Sequence, residues 1–298
     1  MNGALHARIA SGLAAPLTAP VREQAERFGR AANALAVLFY GSNLRTGALD
    51  GVLDYYVLLP GPVEKGIWPR VSYHEWDAGD MRLRAKVATM NLATFHAAAS
   101  GRLVDTTIWA RFVQPCALAW CAGTEAQSRT ADALAAAAIT AARLAVTLGP
   151  RSGTQDDYWR ALFRATYRAE FRVEAAGRED SILSLNRAHF DGLLPLALEA
   201  GGIEFAVTGA GIAPQLTRAE SARTRRWWAF RRNLGKPYNL LRLVRASTTF
   251  EGAARYAAWK IERHTGVKVR LSPWREKHPL LAAPGVLWQV WRETKGAR

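Results

Sequence analysis

The stretch that decides the fold is Phe39-Tyr40-Gly41-Ser42-Asn43, followed after a short loop by Leu53-Asp54-Tyr55-Tyr56-Val57-Leu58-Leu59-Pro60. The apolar runs 34–40 and 53–59 each predict a β-strand. Gly41-Ser42 ends the first run, Asp54 lies near the start of the second, and a proline-glycine break at 60–62 closes it. We therefore expect two neighbouring strands that bring Gly41, Ser42 and Asp54 to one edge of a sheet.

These residue types suit a bound nucleoside triphosphate and its metal. Backbone N–H groups of a glycine turn can approach phosphate oxygens closely, and the hydroxyl of Ser42 adds a donor. Gly41, Ser42 and Asn43 are therefore candidate nucleotide-binding residues. Mg²⁺ prefers one or two carboxylates plus phosphate oxygens, which makes Asp54 a candidate ligand, with Asp50 in the loop as a second. The structural alternative is a hairpin turn at Gly-Ser and an aspartate that only caps a strand.

Composition limits the class of protein and of partner. The 298 residues suffice for one large domain or two ordinary ones, and 49% of them are apolar. The net charge of +15 favours an anionic partner, either nucleic acid, an anionic membrane surface or a nucleotide. The alternative is a codon bias toward arginine and alanine that explains part of the excess.

Other features favour a cytoplasmic protein. The N-terminus lacks a charged segment followed by a clean apolar one, so no signal peptide is predicted. The alanine-rich residues 131–146 predict a packed helix, too polar and too short to span a bilayer. Cys116 and Cys121 form neither a disulfide framework nor a zinc motif, and both are expected as buried free thiols.

The chain divides into three regions and predicts an α+β fold. Residues 1–125 mix helices with strands at 34–40, 53–59 and 86–90, a loop or short strand at 68–76, a helix at 91–99, and a strand with a turn within 109–121. Residues 126–215 are predicted to be helical, with helices at 131–148, 156–174 and within 182–198. The boundary is placed at 124–130, where the hydrophobic period changes. Residues 216–298 are basic and aromatic.

The third region opens with a dense basic and aromatic segment. Residues 223–232 hold five arginines around three aromatic residues. Tryptophan and arginine together suit the headgroup boundary of a membrane. We expect membrane contact by Arg225, Arg226, Trp227, Trp228 and Phe230. Single-stranded nucleic acid, bound by stacking and phosphate contacts, and ordinary packing of a basic helix remain as alternatives.

Several further segments occur in a characteristic order. Lys86 lies in a strand that runs into the helix predicted at 91–99, and Gly101-Arg102-Leu103 follows that helix. Arg168 and Arg172 lie in the predicted helix 156–174, and residues 186–191 read Asn-Arg-Ala-His-Phe-Asp. Together with Tyr40-Gly41-Ser42 and Asp54, this order resembles the mitochondrial-type CTP:phosphatidate cytidylyltransferases, which are peripheral membrane enzymes. The resemblance covers about the first two-thirds of the chain.

The resemblance implies a fold, an activity and roles for residues. It implies a nucleotidyltransferase-like domain at 1–125 and transfer of CMP from CTP to phosphatidic acid or another anionic phospholipid, on the inner face of the membrane. Asp54, Lys86 and Arg102 would be catalytic, with Mg²⁺ on Asp54 and Asp50. Arg168 and Arg172 would hold the acceptor phosphate.

The sequence departs from the family pattern at one important position. Tyr56 stands where the family has a second acid two residues after the first. Asp50, Glu75, Asp77 or Asp80, or a water, would have to supply the missing ligand. Two other functions stay open: a nucleotidyltransferase that acts on RNA, protein or a small molecule, and a catalytically inactive membrane-binding relative.

Overall fold

A computed structural model describes residues 3–66, 69–169, 178–209, 211–249, 252–277 and 279–296. The fold is α+β, as predicted. The strands are β1 (Ala36–Tyr40), β2 (Leu53–Leu59), β3 (Arg70–Ala78), β4 (Met81–Asn91), β5 (Cys116–Cys121), β6 (Phe205–Thr208) and β7 (Gly211–Pro214). The helices are α1 (Gly3–Leu13), α2 (Ala19–Ala31), α3 (Ser42–Thr46), α4 (Leu92–Ala99), α5 (Thr107–Phe112), α6 (Thr124–Leu148), α7 (Gln155–Ala169), α8 (Arg178–Leu185), α9 (Arg187–Phe190), α10 (Leu193–Ala200), α11 (Arg218–Thr249), α12 (Ala253–Thr265), α13 (Pro273–Lys277) and α14 (Pro279–Gly296).

A mixed five-stranded sheet organises the first region, in the order β3-β4-β2-β1-β5. β1 pairs antiparallel with β2 and β5, β2 pairs parallel with β4, and β3 pairs antiparallel with β4. β6 and β7 form a separate hairpin. The central strands are therefore β4, β2 and β1, and these carry the predicted site residues.

The sheet is covered on both faces, which explains why its central strands are almost wholly apolar. Side chains of a strand alternate between faces. Val37, Phe39 and Tyr55 pack with Val21 and Ala25 of α2 in one core cluster. The opposite face packs on the helices in a second, larger cluster whose members include Leu38, Tyr56, Met90, Phe95, Trp109 and Leu134.

The predicted strands at 34–40, 53–59 and 86–90 are confirmed, although the third belongs to the longer β4. For residues 68–76 the sequence predicts either a loop or a short strand. This segment forms β3 from Arg70 onward, because the turn before Met81, with Gly79 at φ +60°, folds it back against β4. The prediction for 109–121 is wrong in its first half. Trp109 lies in α5, where Ile108, Trp109 and Phe112 face the core at helical spacing.

The helix α6 begins at Thr124, within the segment predicted as a domain boundary. It packs on α4, α5, α7 and α10, and its buried alanines and leucines belong to the same core cluster as one face of the sheet. At 25 residues it is longer than predicted, and by length and composition it could cross a membrane. In the structure 61% of its most apolar window is buried. Sheet and helices thus share one core.

The later helices differ from the sequence prediction in their limits. Residues 182–198 fall in α8, α9 and α10, separated near Asn186 and at Gly192, which adopts φ +72°. α7 ends at Ala169 within the described residues, so the predicted continuation to 174 lies outside them. Cys116 is buried as predicted, whereas Cys121 is half-buried, and both are free thiols.

Candidate active site

Gly41 and Asp54 lie side by side where β1 ends and β2 begins. The antiparallel register pairs Tyr40 with Asp54. Gly41 adopts φ +95°, and a Cβ built on it would lie 3.1 Å from Oδ2 of Asp54. Glycine suits this position for two reasons: the backbone conformation is one that L side chains rarely adopt, and the carboxylate occupies the space of a side chain.

Two cations flank Asp54. The parallel register of β2 and β4 places Lys86 beside it, on the same face of the sheet. Arg111 of α5 approaches from the helical side, with its guanidinium carbon 5.6 Å from the ring centre of Tyr40. Burial raises the pKa of Asp54, while the positive charges of Lys86 and Arg111 act in the opposite direction and do not cancel that effect. The result is a partly buried carboxylate between two cations.

Arg111 is a functional candidate that the sequence did not reveal. Its segment was expected as a strand and a turn. In the structure, the helix α5 turns its apolar residues to the core and leaves Arg111 at the level of Asp54. The signal that could have found it was the helical spacing of Ile108, Trp109 and Phe112, which leaves Arg111 off the buried stripe.

Arg102, by contrast, does not lie where the resemblance implied. It is exposed just after α4, beside His96. Burial lowers the pKa of His96, and the positive charge of Arg102 lowers it further. The charges that act on Asp54 are those of Lys86 and Arg111. Arg111, and not Arg102, is thus the arginine whose charge acts on Asp54.

The loop between β1 and β2 gives its polar residues different surroundings. Ser42 is exposed at the start of the short helix α3, directly after Gly41. Asn43 is buried, and its Nδ2 donates to the carbonyl of Ala48 at 2.8 Å. The side chain of Asn43 therefore holds the loop, and its predicted contact with the nucleotide stays a prediction. Asp50 is exposed on the loop surface.

The charges that act on the pKa of Asp54 are cations, and no acid of the described residues is among them. Tyr56 is wholly buried, with its ring centre 5.2 Å from that of Phe112 and 5.8 Å from that of Phe95. Within the described ranges, no group of three or more His, Cys, Asp or Glu side chains could hold a metal. Asp54 alone meets the lower limit of one carboxylate for a Mg²⁺ that is also bound by phosphates. The residues fit such a metal only together with its nucleotide.

The other acids considered as the second metal ligand either accept hydrogen bonds within the protein or are exposed near the turn between β3 and β4. Glu75 accepts hydrogen bonds from the hydroxyl of Tyr73 at 2.9 Å and from Nη2 of Arg82 at 3.0 Å. Burial disfavours its charge, but these bonds outweigh burial and lower the pKa of Glu75. Asp77 and Asp80 are exposed near the turn between β3 and β4.

The helix α12 closes the site from the C-terminal third. Gly252, which precedes it, adopts φ +79°, and a Cβ there would lie 2.8 Å from the carbonyl oxygen of Tyr73 on β3. The rings of Tyr73 and Tyr256 are 5.4 Å apart. Burial raises the pKa of Tyr256, and the charge of Asp54 raises it further, so the phenol lies close to that carboxylate. Sequence reasoning assigned Tyr256 only to the basic aromatic region.

Two further side chains of α12 reach the same face. Trp259 stacks on Tyr256 at 6.2 Å between ring centres, and the guanidinium carbon of Arg263 lies 5.3 Å from the ring centre of Trp259. Nη1 of Arg263 lies 3.3 Å from where a Cβ on Gly51 would be. Arg263 therefore reaches the loop that follows Gly41. Together with Lys86 and Arg111 it adds positive charge to a face that also carries the carboxylates of Asp54 and Glu75.

Trp227 and Trp228 do not form the predicted membrane contact. Trp228 is only 4% exposed and packs edge-on against Trp109, at 6.2 Å between ring centres. Nε1 of Trp227 donates to the carbonyl of Gly101 at 3.1 Å. Both indoles pack α11 against the core, and burial of their apolar area stabilises the helix in this position. Arg225, Arg226 and Phe230 do face solvent.

Buried arginines complete the docking of α11. Arg242 forms a two-pronged ion pair with the buried Asp105, at 2.6 Å and 3.1 Å. Nη2 of Arg231 donates to the carbonyls of Gly101 and Leu103, and burial lowers the pKa of Arg231 to about 10. Much of the arginine excess in this helix is thus structural.

Of the two arginines predicted for the acceptor phosphate, Arg168 lies within the described residues. Arg168 is exposed at the end of α7, next to Ala169, whose carbonyl oxygen lies 2.5 Å from where a Cβ on Gly235 of α11 would be. It therefore lies where α7 and α11 cross. Arg172 lies outside the described residues.

Comparison of the chain with protein-family models finds no match, and comparison with curated proteins finds none either. Chemically, the site offers a glycine backbone and the carboxylate of Asp54, with the cations Lys86 and Arg111 beside it. Such a set neutralises a polyphosphate and leaves one carboxylate for its metal. The function has to be inferred from this geometry and from the motifs.

Proposed function

We propose that this protein is a nucleotidyltransferase that transfers CMP from CTP to phosphatidic acid, with release of pyrophosphate and formation of CDP-diacylglycerol. The observation that carries the proposal is the juxtaposition of Gly41, Asp54 and Lys86 on three adjacent strand segments. The geometry supports a nucleoside triphosphate as ligand. The choice of CTP and of a lipid acceptor comes from the resemblance of the ordered motifs.

The proposed reaction makes modest demands on acid–base chemistry. An oxygen of the acceptor phosphomonoester attacks the α-phosphorus of CTP, and the bond from that phosphorus to the pyrophosphate oxygen breaks. The acceptor is already anionic at neutral pH, so no strong base is required. The barrier is electrostatic, because two anions have to meet in line and their charge has to be neutralised as the new bond forms.

The chain's own residues divide this work. Lys86 and Arg111 neutralise phosphate charge at the reacting centre, and the backbone at Gly41 and Ser42 positions the triphosphate. Asp54 is the residue that would hold Mg²⁺, which when bound neutralises and orients the phosphates of the nucleotide. Tyr256 covers the site from α12, and Arg263 adds a cation at the loop that contains Gly51. Arg168 stays a candidate for the acceptor phosphate.

The proposed membrane contact moves to the end of the chain. Large apolar side chains are exposed on α14, and Leu287, Trp288 and Trp291 are 64%, 59% and 55% exposed. The guanidinium carbon of Arg292 lies 5.0 Å from the ring centre of Trp288. Exposed tryptophan beside arginine suits the headgroup region of an anionic bilayer, and the net charge of +15 adds to the attraction. A lipid acceptor would be reached from this surface.

The proposal is tested by incubating the protein with each of the four labelled nucleoside triphosphates, Mg²⁺ and vesicles that contain phosphatidate. We expect pyrophosphate and CDP-lipid with CTP, and loss of both with Asp54→Asn. The variant Glu23→Gln is the control, since its carboxylate is exposed on α2 and has no assigned role, and it should keep its activity. Absence of both products from the wild-type protein would rule out the proposed reaction. Transfer to RNA, protein or a small molecule instead would replace the lipid acceptor.

A catalytically inactive nucleotide- or lipid-binding protein is the second candidate. It is favoured by the burial of Tyr56 at the position of the second acid. Nucleotide binding without turnover, abolished by Lys86→Gln but present in the wild type, would favour this candidate over the enzyme.

A further inference from the structure

A small apolar cavity lies on the side of α12 that faces away from the sheet. Its volume is about 150 Å³, and its walls are formed by residues of α12, of the segment after it and of α14. They include Ala254, Ala258 and Ile261 on α12, Leu271, and Ala282 and Val286 on α14. The small side chains of the two helices leave the space between them open. Dry apolar cavities of about this volume accept a benzene-sized group.

A basic cleft adjoins this cavity. It is lined by Lys268, Arg270 and Arg275, and it shares Leu271 and Arg275 with the cavity. Nη1 of Arg275 donates to the carbonyl of Arg270 at 2.9 Å, which fixes the guanidinium at the boundary between the two spaces. An apolar chamber therefore opens beside three cations, one of which, Lys268, also has its Nζ 3.9 Å from Oε1 of Glu262. That combination is complementary to a ligand with an apolar end and an anionic head.

We propose that the cavity and the cleft together bind an anionic phospholipid, with the end of one acyl chain in the cavity and the headgroup phosphate against Arg270 and Lys268. The volume limits the buried part to a short segment of one chain. The exposed Leu287 and Trp288 of α14 lie where the rest of the lipid would remain in the bilayer. The identity of this lipid as the acceptor rests on the proposed function, whereas its binding does not.

The position of the cavity links the lipid to the candidate active site. Residues 254, 257, 258 and 261 follow the spacing of one helical face and line the cavity. Tyr256, Trp259 and Arg263 follow the spacing of another face, which lies against the sheet and the loop after Gly41. A lipid in the cavity therefore contacts the helix that closes the site.

The test is direct binding of soluble single-chain lipids without any nucleotide. Displacement of a polarity-sensitive dye is measured with lysophosphatidate, with lysophosphatidylcholine and with glycerol 3-phosphate. We expect tight binding of lysophosphatidate alone, since only this probe has both a chain and an unscreened anionic head. The variant Ala258→Phe fills the cavity and should weaken binding by about tenfold or more, the loss for roughly two methylene groups that can no longer be buried.

The controls separate the cavity from general effects on folding. Ala222→Phe adds the same ring at an exposed position of α11 and should bind lysophosphatidate like the wild type. Ala283→Phe fills the cavity from α14, so a folding defect in Ala258→Phe, seen as a lowered melting temperature, leaves a second variant to decide. Arg270→Gln should weaken binding of lysophosphatidate, while Arg187→Gln, at an exposed position of α9 outside the cleft, should not.

Two results would overturn the inference. The first is unchanged lysophosphatidate affinity in folded Ala258→Phe and Ala283→Phe. The second is equal affinity for lysophosphatidylcholine, which carries the same chain without net charge. Lipid binding that fails only in the cavity variants, together with a protein that transfers no nucleotide, would support the lipid site and contradict the proposed function.

Discussion

Asp54 is the residue at which charge and burial compete most directly. Lys86 and Arg111 favour its carboxylate form, and burial favours the neutral acid. Burial is the larger effect, so the pKa of Asp54 is raised. The carboxylate thus lies where its charged form costs stability, which is typical of a group retained for function.

This competition predicts a stabilising substitution. Because the pKa of Asp54 is higher in the folded chain than in the unfolded one, the charged carboxylate destabilises the fold at neutral pH. Asp54→Asn should raise the free energy of unfolding by about 1 kcal/mol, or the melting temperature by roughly 2–4 °C. As pH falls through the raised pKa, the wild-type residue takes up a proton and the gain should shrink.

Melting curves of wild type, Asp54→Asn and the exposed control Asp50→Asn, recorded from about pH 8 to about pH 5, check this prediction. A variant that is less stable than the wild type at neutral pH, or a gain that does not depend on pH, would contradict it.

The adjacent tyrosines Tyr55 and Tyr56 make a matched pair for the value of a buried hydroxyl. The hydroxyl of Tyr55 donates to the carbonyl of Val21 at 3.1 Å, whereas that of Tyr56 has no hydrogen-bond partner in the described part of the chain. Tyr55→Phe should therefore lower the free energy of unfolding by about 1 kcal/mol, and Tyr56→Phe should leave it unchanged or raise it. Chemical denaturation of both variants measures the difference. An equal loss in the two would show that the hydroxyl of Tyr56 has a partner.

At the scale of the element, α12 is the helix on which closure of the site depends. Its entry at Gly252 permits backbone contact with β3, and Tyr256, Trp259 and Arg263 then follow at helical spacing on the side of the sheet. The ion pair between Arg242 and Asp105 holds the preceding helix α11 against the core. The C-terminal third thus belongs to the site.

Substitution of the glycines at the two ends of α12 can distinguish backbone strain from a steric clash with β3. Both adopt positive φ, +79° at Gly252 and +73° at Gly266, but a Cβ meets Tyr73 only at Gly252. Each Ala substitution should cost about 1 kcal/mol of stability through backbone strain. Only Gly252→Ala should also displace α12 and weaken binding of the nucleotide.

Isothermal titration with CTP and Mg²⁺ and thermal melting of both variants measure these two effects. Equal nucleotide affinity in Gly252→Ala and Gly266→Ala would mean that α12 does not take part in the site.

At the scale of the whole molecule, some tryptophans of the C-terminal third pack against the core and others are exposed at the surface. Trp227 and Trp228 dock α11, whereas Trp288 and Trp291 are exposed on α14. Trp288→Ala with Trp291→Ala should therefore reduce cosedimentation with phosphatidate-containing vesicles and leave the melting temperature unchanged. Trp228→Ala should instead destabilise the fold by about 3–5 kcal/mol. Vesicle binding that survives the double substitution on α14 would remove this helix from the membrane contact.

The sequence predicted the sheet better than it predicted the helices that surround it. The strands β1 and β2 follow from continuous apolar runs that end in glycine and proline, and these are local signals. Trp109 was misassigned because a short buried helix and a buried strand have similar composition, and only the contacts of α5 distinguish them. The sequence also points to Arg102 instead of Arg111, because distance along the chain does not tell which arginine lies near Asp54.

By itself, the sequence determined the α+β class, the strand pair around Gly41 and Asp54, and the positive charge, because each depends on local pattern or on composition. The tertiary structure alone decided that Arg111 and Tyr256 lie near Asp54, that Arg263 reaches the loop at Gly51 and that Tyr56 fills the core. It also decided which tryptophans are buried. These outcomes depend on which face of each helix is covered by residues far away in the chain, and that choice follows from burial of apolar area over the whole molecule.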